Sequence, residues 1–499
     1  MERKMFFTST RSKCSIQSAE AIAKGLASDG GLFVPQEFPQ FSSEDIDRMT
    51  AMDYRGRAVE VLSRYLTDFT ADEIRKCVDA AYTGKFDNEE PAPLVEVAEN
   101  MFMLELWHGP TCAFKDMALQ LLPHLLTASV AKTSSGRTTV ILVATSGDTG
   151  KAALDGFADV PGTRIIVFYP QNGVSAMQKL QMTTQQGNNV AVCAINGNFD
   201  NAQTGVKNIF SDKEMAAKLD AHAMDFSSAN SINFGRLVPQ IVYYVSSYCD
   251  LLKSGKLKSG DEFNVVVPTG NFGNILAAVY AKKMGIPIKT FICASNRNNV
   301  LTDFINTGVY DRNREFFTTT SPSMDILISS NLERLLYLLS DCDCEKVAAL
   351  MEELKTSGKY SIPQEVLSVL QQEFYGNCAC DEEAASAIRE LFEKNGYLCD
   401  THTAVAVSVY NKYVAETGDR TPSVIASTAS PYKFSPAVLS ALTGKECSGD
   451  EFAVVEELSR LTSTDIPAPL AGLAGKSVLH KTCVEKEDMA QFISDFLGV

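Results

Sequence analysis

The chain has 499 residues, of which 45% are hydrophobic and 21% charged, and its formal net charge is -16 at pH 7. That length implies two or three domains with large cores, and the acidic balance argues against a nucleic-acid or anionic-membrane partner. An anionic ligand would need local donors such as helix N-termini, because the overall field opposes it.

No targeting segment stands out in the N-terminal stretch. Met5-Phe6-Phe7 is far too short for a signal-peptide core, Glu2 sits badly in a transit peptide, and no apolar run approaches the ~20 residues that cross a bilayer. Residues 1–100 mix amphipathic helical stretches with punctuation, and the glycines of 25–35 (GLASDGGLFVP) predict a loop followed by a short extended piece. From about residue 102 strands and helices alternate. The apolar, β-branched run 139–144 (TVILVA) predicts a buried strand leading through Ser146-Gly147-Asp148-Thr149-Gly150 into a helix near Lys151. Strand-like 165–169 precedes a helix around 175–185, and 190–195 precedes another from about 201. The run 263–268 (FNVVVP) leads through Gly270-Asn271-Phe272-Gly273-Asn274 into a further helix, and 289–294 and 424–427 are strand-like again. Repeated alternation predicts an α/β fold of parallel sheets with helices on both faces.

Residues 331–400 read as a charged, largely helical segment without a strong strand. Its cysteine pairs Cys342/Cys344 and Cys378/Cys380 have no histidine nearby in sequence, and neither C-x-x-C nor H-E-x-x-H occurs, so no metal site is expected. The thirteen cysteines read as free thiols in a reducing compartment, which with the missing targeting signal predicts a cytoplasmic protein.

Three loops carry candidate chemistry. In open parallel sheets ligands sit beyond the carboxyl ends of strands, where loops run into helix N-termini. Gly270 to Asn274 has that setting, and its glycines let the backbone approach an anion closely; a tight turn is the plainer reading of the same residues. It matches neither the dinucleotide nor the P-loop pattern. The hydroxyl-rich loop 146–150 could hold a carboxylate or a second phosphate, and Lys151 is a cation where the helix dipole disfavours one, though a lysine pointing at water would look the same. The third segment, 107–116 (WHGPTCAFKD), sets Lys115 among apolar and aromatic neighbours at a helix start. Desolvation there would free the amine for Schiff-base chemistry; snorkelling is the bland alternative.

In that order, an F-K-D lysine, an S-G-D-T-G loop and a G-N-F-G-N loop resemble the fold-type II enzymes of pyridoxal 5'-phosphate (PLP). Within them the chain resembles the threonine synthase family, in its longer fungal and bacterial branch. The stretches 25–35, 230–240 (NSINFGRLVPQ), 265–285, 323–336 (SMDILISSNLERLL) and 427–434 (STASPYKF) carry the likeness over nearly the whole chain. Where the family often has histidine before the proline of the last motif, Ser430 stands here.

The resemblance implies two sheet-bearing subdomains, and the chain is expected to divide into an N-terminal mainly helical domain at 1–100, a PLP-binding core at 101–330 with a mobile small subdomain near 116–240, a helical insertion at 331–400, and a C-terminal part at 401–499 completing the core. The resemblance also implies PLP held by Lys115, its phosphate on Gly270, Asn271, Phe272 and Asn274, and its ring nitrogen on Thr428. A hydroxyl at that nitrogen makes the ring a more moderate electron sink than a carboxylate would. Ser146, Asp148, Thr149, Ser231 and Asn233 become candidates for the amino-acid end of the substrate, and Lys151 and Arg236 for its phosphate. The implied reaction is conversion of O-phospho-L-homoserine and water to L-threonine and phosphate. A PLP ammonia-lyase or phospho-lyase giving a 2-oxo acid would keep the same cofactor residues, and a non-catalytic metabolite-binding protein would need no lysine at 115.

Overall fold

The computed structural model describes residues 4–133, 136–145, 147–172, 174–447 and 449–499. Two sheets dominate. The larger has six strands in the order Phe374–Cys378, Ile288–Ser295, Phe263–Pro268, Ser423–Ser427, Met101–Glu105 and Leu94–Ala98. All its pairings are parallel except the last, where Leu94–Ala98 runs antiparallel along the edge. The smaller has five strands in the order Cys483–Val484, Val190–Ile195, Thr163–Pro170, Thr138–Ala144 and Met224–Ser227, all parallel. Strands covered on both faces need continuous apolar sequence. Every residue of Phe263–Pro268, Val190–Ile195 and Ser423–Ser427 is accordingly buried.

The chain enters the large sheet, builds the small one between Thr138 and Ser227, and returns through the helix Phe234–Lys253. That helix is buried along nearly its whole length, against the helices Gly273–Lys283 and Tyr54–Tyr65. The N-terminal region packs four helices, Ser18–Lys24, Ser43–Thr50, Tyr54–Tyr65 and Ala71–Tyr82, beside the antiparallel strand pair of Phe7–Ser9 and Phe33–Pro35. Ser42 with Asp45 and Thr70 with Glu73 form capping boxes that start two of these helices.

Two segments differ from the sequence expectation. Residues 331–400 supply four helices but also the edge strand Phe374–Cys378, whose FYGNC sequence carries a glycine and an asparagine that weaken any strand signal. The C-terminal part divides. Thr401–Thr417 and Ser423–Ser427 serve the large sheet, whereas Cys483–Val484 and the helix Met489–Leu497 cross to the edge and outer face of the small one. Among the described residues no helix is long and apolar enough to cross a membrane, no His/Cys/Asp/Glu group could hold a metal ion, and the thirteen cysteines are free.

Candidate active site

Backbone pairing brings the first two parts of the site together. Leu106 N donates to Ser427 O, Phe114 N to Thr428 O and Ser430 N to Cys112 O, so the loop before Lys115 is zipped along the end of the strand Ser423–Ser427. Lys115 then opens the helix Lys115–Leu119 beside Thr428. The loop is locked from within: Thr111 donates through its backbone N–H and its hydroxyl to the Asp116 carboxylate, at 2.8 and 2.6 Å.

Lys115 is buried, and burial pushes its amine below the ordinary lysine range, with Asp148 opposing that and Lys433 and Arg236 adding to it. Its Nζ donates to Ser323 Oγ at 3.1 Å, lies 3.6 Å from Asp148 Oδ2 and sits 5.3 Å from the centre of the Phe114 ring.

Asp148 begins the helix Asp148–Phe157. Burial pushes its carboxyl up, but the Lys433 and Lys115 ammoniums outweigh burial and hold it well below the usual carboxylate range. Lys433 Nζ is 2.7 Å from Asp148 Oδ1 and donates to Thr111 O at 2.8 Å, and Gln178 Nε2 donates to the same carboxylate at 2.9 Å. Sequence reasoning missed Lys433, although it stands in STASPYKF among apolar neighbours, the argument that singled out Lys115.

The second wall is the start of the helix Gly273–Lys283. Phe272, its N-cap, has φ 64°, a left-handed conformation rare for a bulky residue, and no side chain caps the helix. A buried helix start without a cap leaves its first N–H groups facing an anion site. Asn274 Nδ2 is buried without a partner among the described residues, while its Oδ1 accepts from Tyr244 OH. A Cβ on Gly270 would lie 2.8 Å from Ser323 O, so the same turn touches both this loop and Lys115.

Arg236 is buried at 4% exposure, donates to Ala229 O at 2.9 Å, and its Nε has no partner among the described residues. Burial lowers its guanidinium to about 10. A buried guanidinium with no carboxylate partner among the described residues and an unpartnered Nε leaves positive charge that an arriving anion would offset.

Other candidates are engaged elsewhere. Lys151 Nζ is held by Asp155 at 3.3 Å and by Gln185 Oε1. The Asn233 amide donates to Ile22 O and accepts from Gly235 N, capping the helix Phe234–Lys253. Ser231 is half-buried and its carbonyl accepts from Asn331 Nδ2 at 3.3 Å; Thr149 is half-buried. Ser146 lies outside the described residues.

The uncapped helix start, the unpartnered Asn274 amide and the buried amine of Lys115 fit a phosphate-bearing aldehyde such as PLP. Arg236 adds a place for a second anion.

Comparison with known proteins agrees with that donor set. Residues 86–428 match the family model described as pyridoxal-phosphate dependent enzyme, flanked by matches to threonine synthase N terminus at 6–82 and threonine synthase, C-terminal at 403–479. The chain is 43% identical over 438 residues to human threonine synthase-like 1, covering 86% of this chain but 58% of that relative's length. It is 37% identical over 473 residues to the threonine synthase of Schizosaccharomyces pombe, covering 89% and 90% of the two chains. A crystal structure of PLP-bound threonine synthase from Brucella melitensis superposes with a TM-score of 0.88 at 36% identity, over 99% of each chain. The chain belongs to the pyridoxal-phosphate dependent enzymes of fold type II and, within them, to the threonine synthase family.

Proposed function

We propose that this chain is a threonine synthase, converting O-phospho-L-homoserine and water to L-threonine and phosphate with PLP as cofactor. The observation that carries the reading is the buried, carboxylate-free Arg236 facing the same site as the buried Lys115 and the uncapped start of the helix Gly273–Lys283. One phosphate belongs to the cofactor and the other to the substrate. When bound, PLP supplies an electron sink for charge developing at the substrate Cα.

The chain's own residues do the rest. The N–H groups of Gly270, Asn271, Phe272 and Asn274 hold the cofactor phosphate, and the Thr428 hydroxyl meets the ring nitrogen. Lys115, its amine pushed below the ordinary lysine range by burial, carries the cofactor and then removes the proton at the substrate Cα. Asp148, bound by Lys433, sets the field at that amine and does not itself contact a substrate carboxylate. The carboxylate goes to Thr149 and the first N–H groups of the helix Asp148–Phe157, with Ser231 and, by sequence position, Ser146 adjoining. Arg236 takes the substrate phosphate; Lys151 and Asn233 serve the scaffold. Closing the small sheet subdomain on the large one would exclude water until the step that consumes it. A cytoplasmic location is supported by the thirteen free cysteines.

Incubation with O-phosphohomoserine in isotopically labelled water tests the reading. One label is expected in the threonine hydroxyl and none in the released phosphate. Labelled phosphate with homoserine would mean simple ester hydrolysis. Dominant 2-oxobutyrate would mean a lyase that releases the unsaturated amine before water adds at the β-carbon. Either outcome refutes the synthase.

A further inference from the structure

We propose that Ser323, held in place by the Asp400–His402 pair at the start of the helix Thr401–Thr417, is a positioning residue that directs the Lys115 amine. The inference rests on the reading that Lys115 carries PLP.

Lys115 Nζ has two polar partners: Ser323 Oγ at 3.1 Å and the Asp148 carboxylate at 3.6 Å. They ask for different forms of the amine. A carboxylate stabilises the ammonium, which has no lone pair to attack an aldehyde or accept a proton. A hydroxyl oxygen accepts one N–H and leaves the lone pair of a neutral amine free. Ser323 therefore competes with Asp148 for Lys115 in favour of the reactive form, and Lys433, closer to Asp148 at 2.7 Å, weakens the competitor.

Ser323 is placed from behind. Its backbone N–H donates to His402 Nε2 at 3.1 Å, so that nitrogen carries no proton and Nδ1–H donates to Asp400 Oδ2 at 2.7 Å. Asp400 is fully buried and also accepts from the backbone N–H groups of His402 at 2.9 Å and Thr403 at 3.1 Å, and from the Thr403 hydroxyl. Thr403 Oγ1 in turn accepts from Thr428 N at 3.3 Å. One helix cap thus sets the turn that meets Lys115 and the strand end that bears Thr428. A helix cap needs only the aspartate. The histidine turned onto Ser323 is the surplus that a purely structural cap leaves unexplained.

The turn Pro322–Met324 has independent support, because Asn296 Nδ2 donates to Ser321 Oγ and to Asp325 Oδ1 at 3.0 and 2.8 Å. Ser323→Ala should therefore remove the hydroxyl and leave the backbone in place.

The test uses the full-length protein freed of PLP. Cofactor capture is followed by absorbance and by borohydride fixation at Lys115 across a pH series. Ser323→Ala should slow capture roughly ten-fold, the scale of one lost hydrogen bond to an ionisable group. It should also move the pH midpoint of capture upward, since Asp148 becomes the nearest partner. The other groups facing the amine, Lys433, Arg236 and the Phe114 ring, are the same in both proteins. In a Lys115→Ala background, Ser323→Ala should leave PLP affinity within two-fold. His402→Gln, whose amide oxygen can accept the Ser323 N–H, should capture PLP like the parent, whereas His402→Leu should behave like Ser323→Ala. Unchanged rate and midpoint in Ser323→Ala would overturn the proposal, as would an equal loss of PLP affinity without Lys115. A parent protein that forms no fixed adduct at Lys115 would instead refute the cofactor reading beneath it.

Discussion

Replacing Lys433 with methionine isolates the electrostatic pair that the sequence did not announce. The ammonium is fully buried, 2.7 Å from Asp148 Oδ1 and 2.8 Å from Thr111 O. At an effective dielectric of about 20 its attraction to Asp148 is about 6 kcal/mol, and that of Lys115 at 3.6 Å about 5 kcal/mol. Desolvation offsets most of this, but removing one partner of a buried pair strands the other, at a cost of about 3–5 kcal/mol. Methionine keeps the volume, so the loss is one of charge. Denaturant unfolding of Lys433→Met should show that destabilisation, and Asp148→Asn added to it should recover most of it, because neither charge is then unpaired. The amine of Lys115 supplies a second readout. With Lys433 gone, Lys115 loses a neighbouring cation and becomes the sole ammonium on Asp148. Both changes raise its pKa, so PLP capture should shift to higher pH. A double variant no more stable than Lys433→Met, together with an unmoved capture profile, would refute the pairing.

Lys115→Ala should abolish the borohydride-fixable adduct while the chain stays folded and binds PLP through the loop 270–274; fixation on another lysine would reject the assignment. Gly273→Ala should lower PLP affinity roughly ten-fold or more without loss of melting temperature, since its Cβ makes only ordinary van der Waals contact, with the Asn331 side chain at 3.4 Å and Gln240 Nε2 at 3.8 Å, while the charge-assisted bonds to the phosphate suffer. Gly270→Ala should lower both, because its Cβ would press on Ser323 O at 2.8 Å, and equal melting temperatures for the two variants would contradict that packing. His108 lies between Asp87 at 2.6 Å and Glu105 at 2.8 Å; burial lowers its pKa, but those two carboxylates prevail and raise it to about 9. The raised folded value means stabilisation that is fully present below about pH 6.5 and lost as pH rises through about 9, on the order of 1–2 kcal/mol after solvent screening. Unfolding midpoints of His108→Gln should lack that slope, and a slope equal to the parent's would exclude His108 as its source.

What the sequence made legible was whatever periodicity and backbone chemistry encode. The runs 139–144, 190–195 and 263–268 sit in fully or nearly fully buried strands because a strand covered on both faces has no room for polar residues. The strands that escaped are short or poor in β-branched residues, such as Met101–Glu105 (MFMLE) and Met224–Ser227 (MDFS), and their partners across the sheet hold them there. The loops 270–274 and 146–150 announced themselves through glycine and position. Side-chain partnerships between distant segments did not. Nothing local to Lys433 names Asp148 as its counter-ion, nothing near His402 names Ser323, and the engagement of Lys151 by Asp155 and Gln185 is visible only once helices pack. Lys151 and Arg236 entered as equal candidates for one anion. Both are buried, and their partners separate them: Lys151 has a carboxylate, Arg236 a backbone carbonyl, and neither partnership is a property of sequence position.

The same separation resolves the conflict between a net charge of -16 and a site for two phosphates. Surface charges are screened within about 8 Å at physiological ionic strength, so the acidic exterior acts on the approach of an anion more than on its binding. Inside, Lys115, Lys433 and Arg236 outnumber Asp148, and all four are buried where screening is weak; the neighbouring buried Asp116 carboxyl is pushed up to about 7 by burial and so carries little of the balancing charge. Without an anion this cluster is over-positive. Burial, with the neighbouring Lys433 and Arg236 cations, lowers the Lys115 amine, and burial lowers the Arg236 guanidinium to about 10. An arriving phosphate relieves repulsion as well as making its own contacts, and relief of that repulsion favours the protonated form of Lys115. The amine is therefore most reactive before the anion sites fill and a stronger base afterwards. On the proposed function, capture of the cofactor needs the first condition and removal of the substrate's Cα proton the second, so one electrostatic arrangement would serve both steps in order.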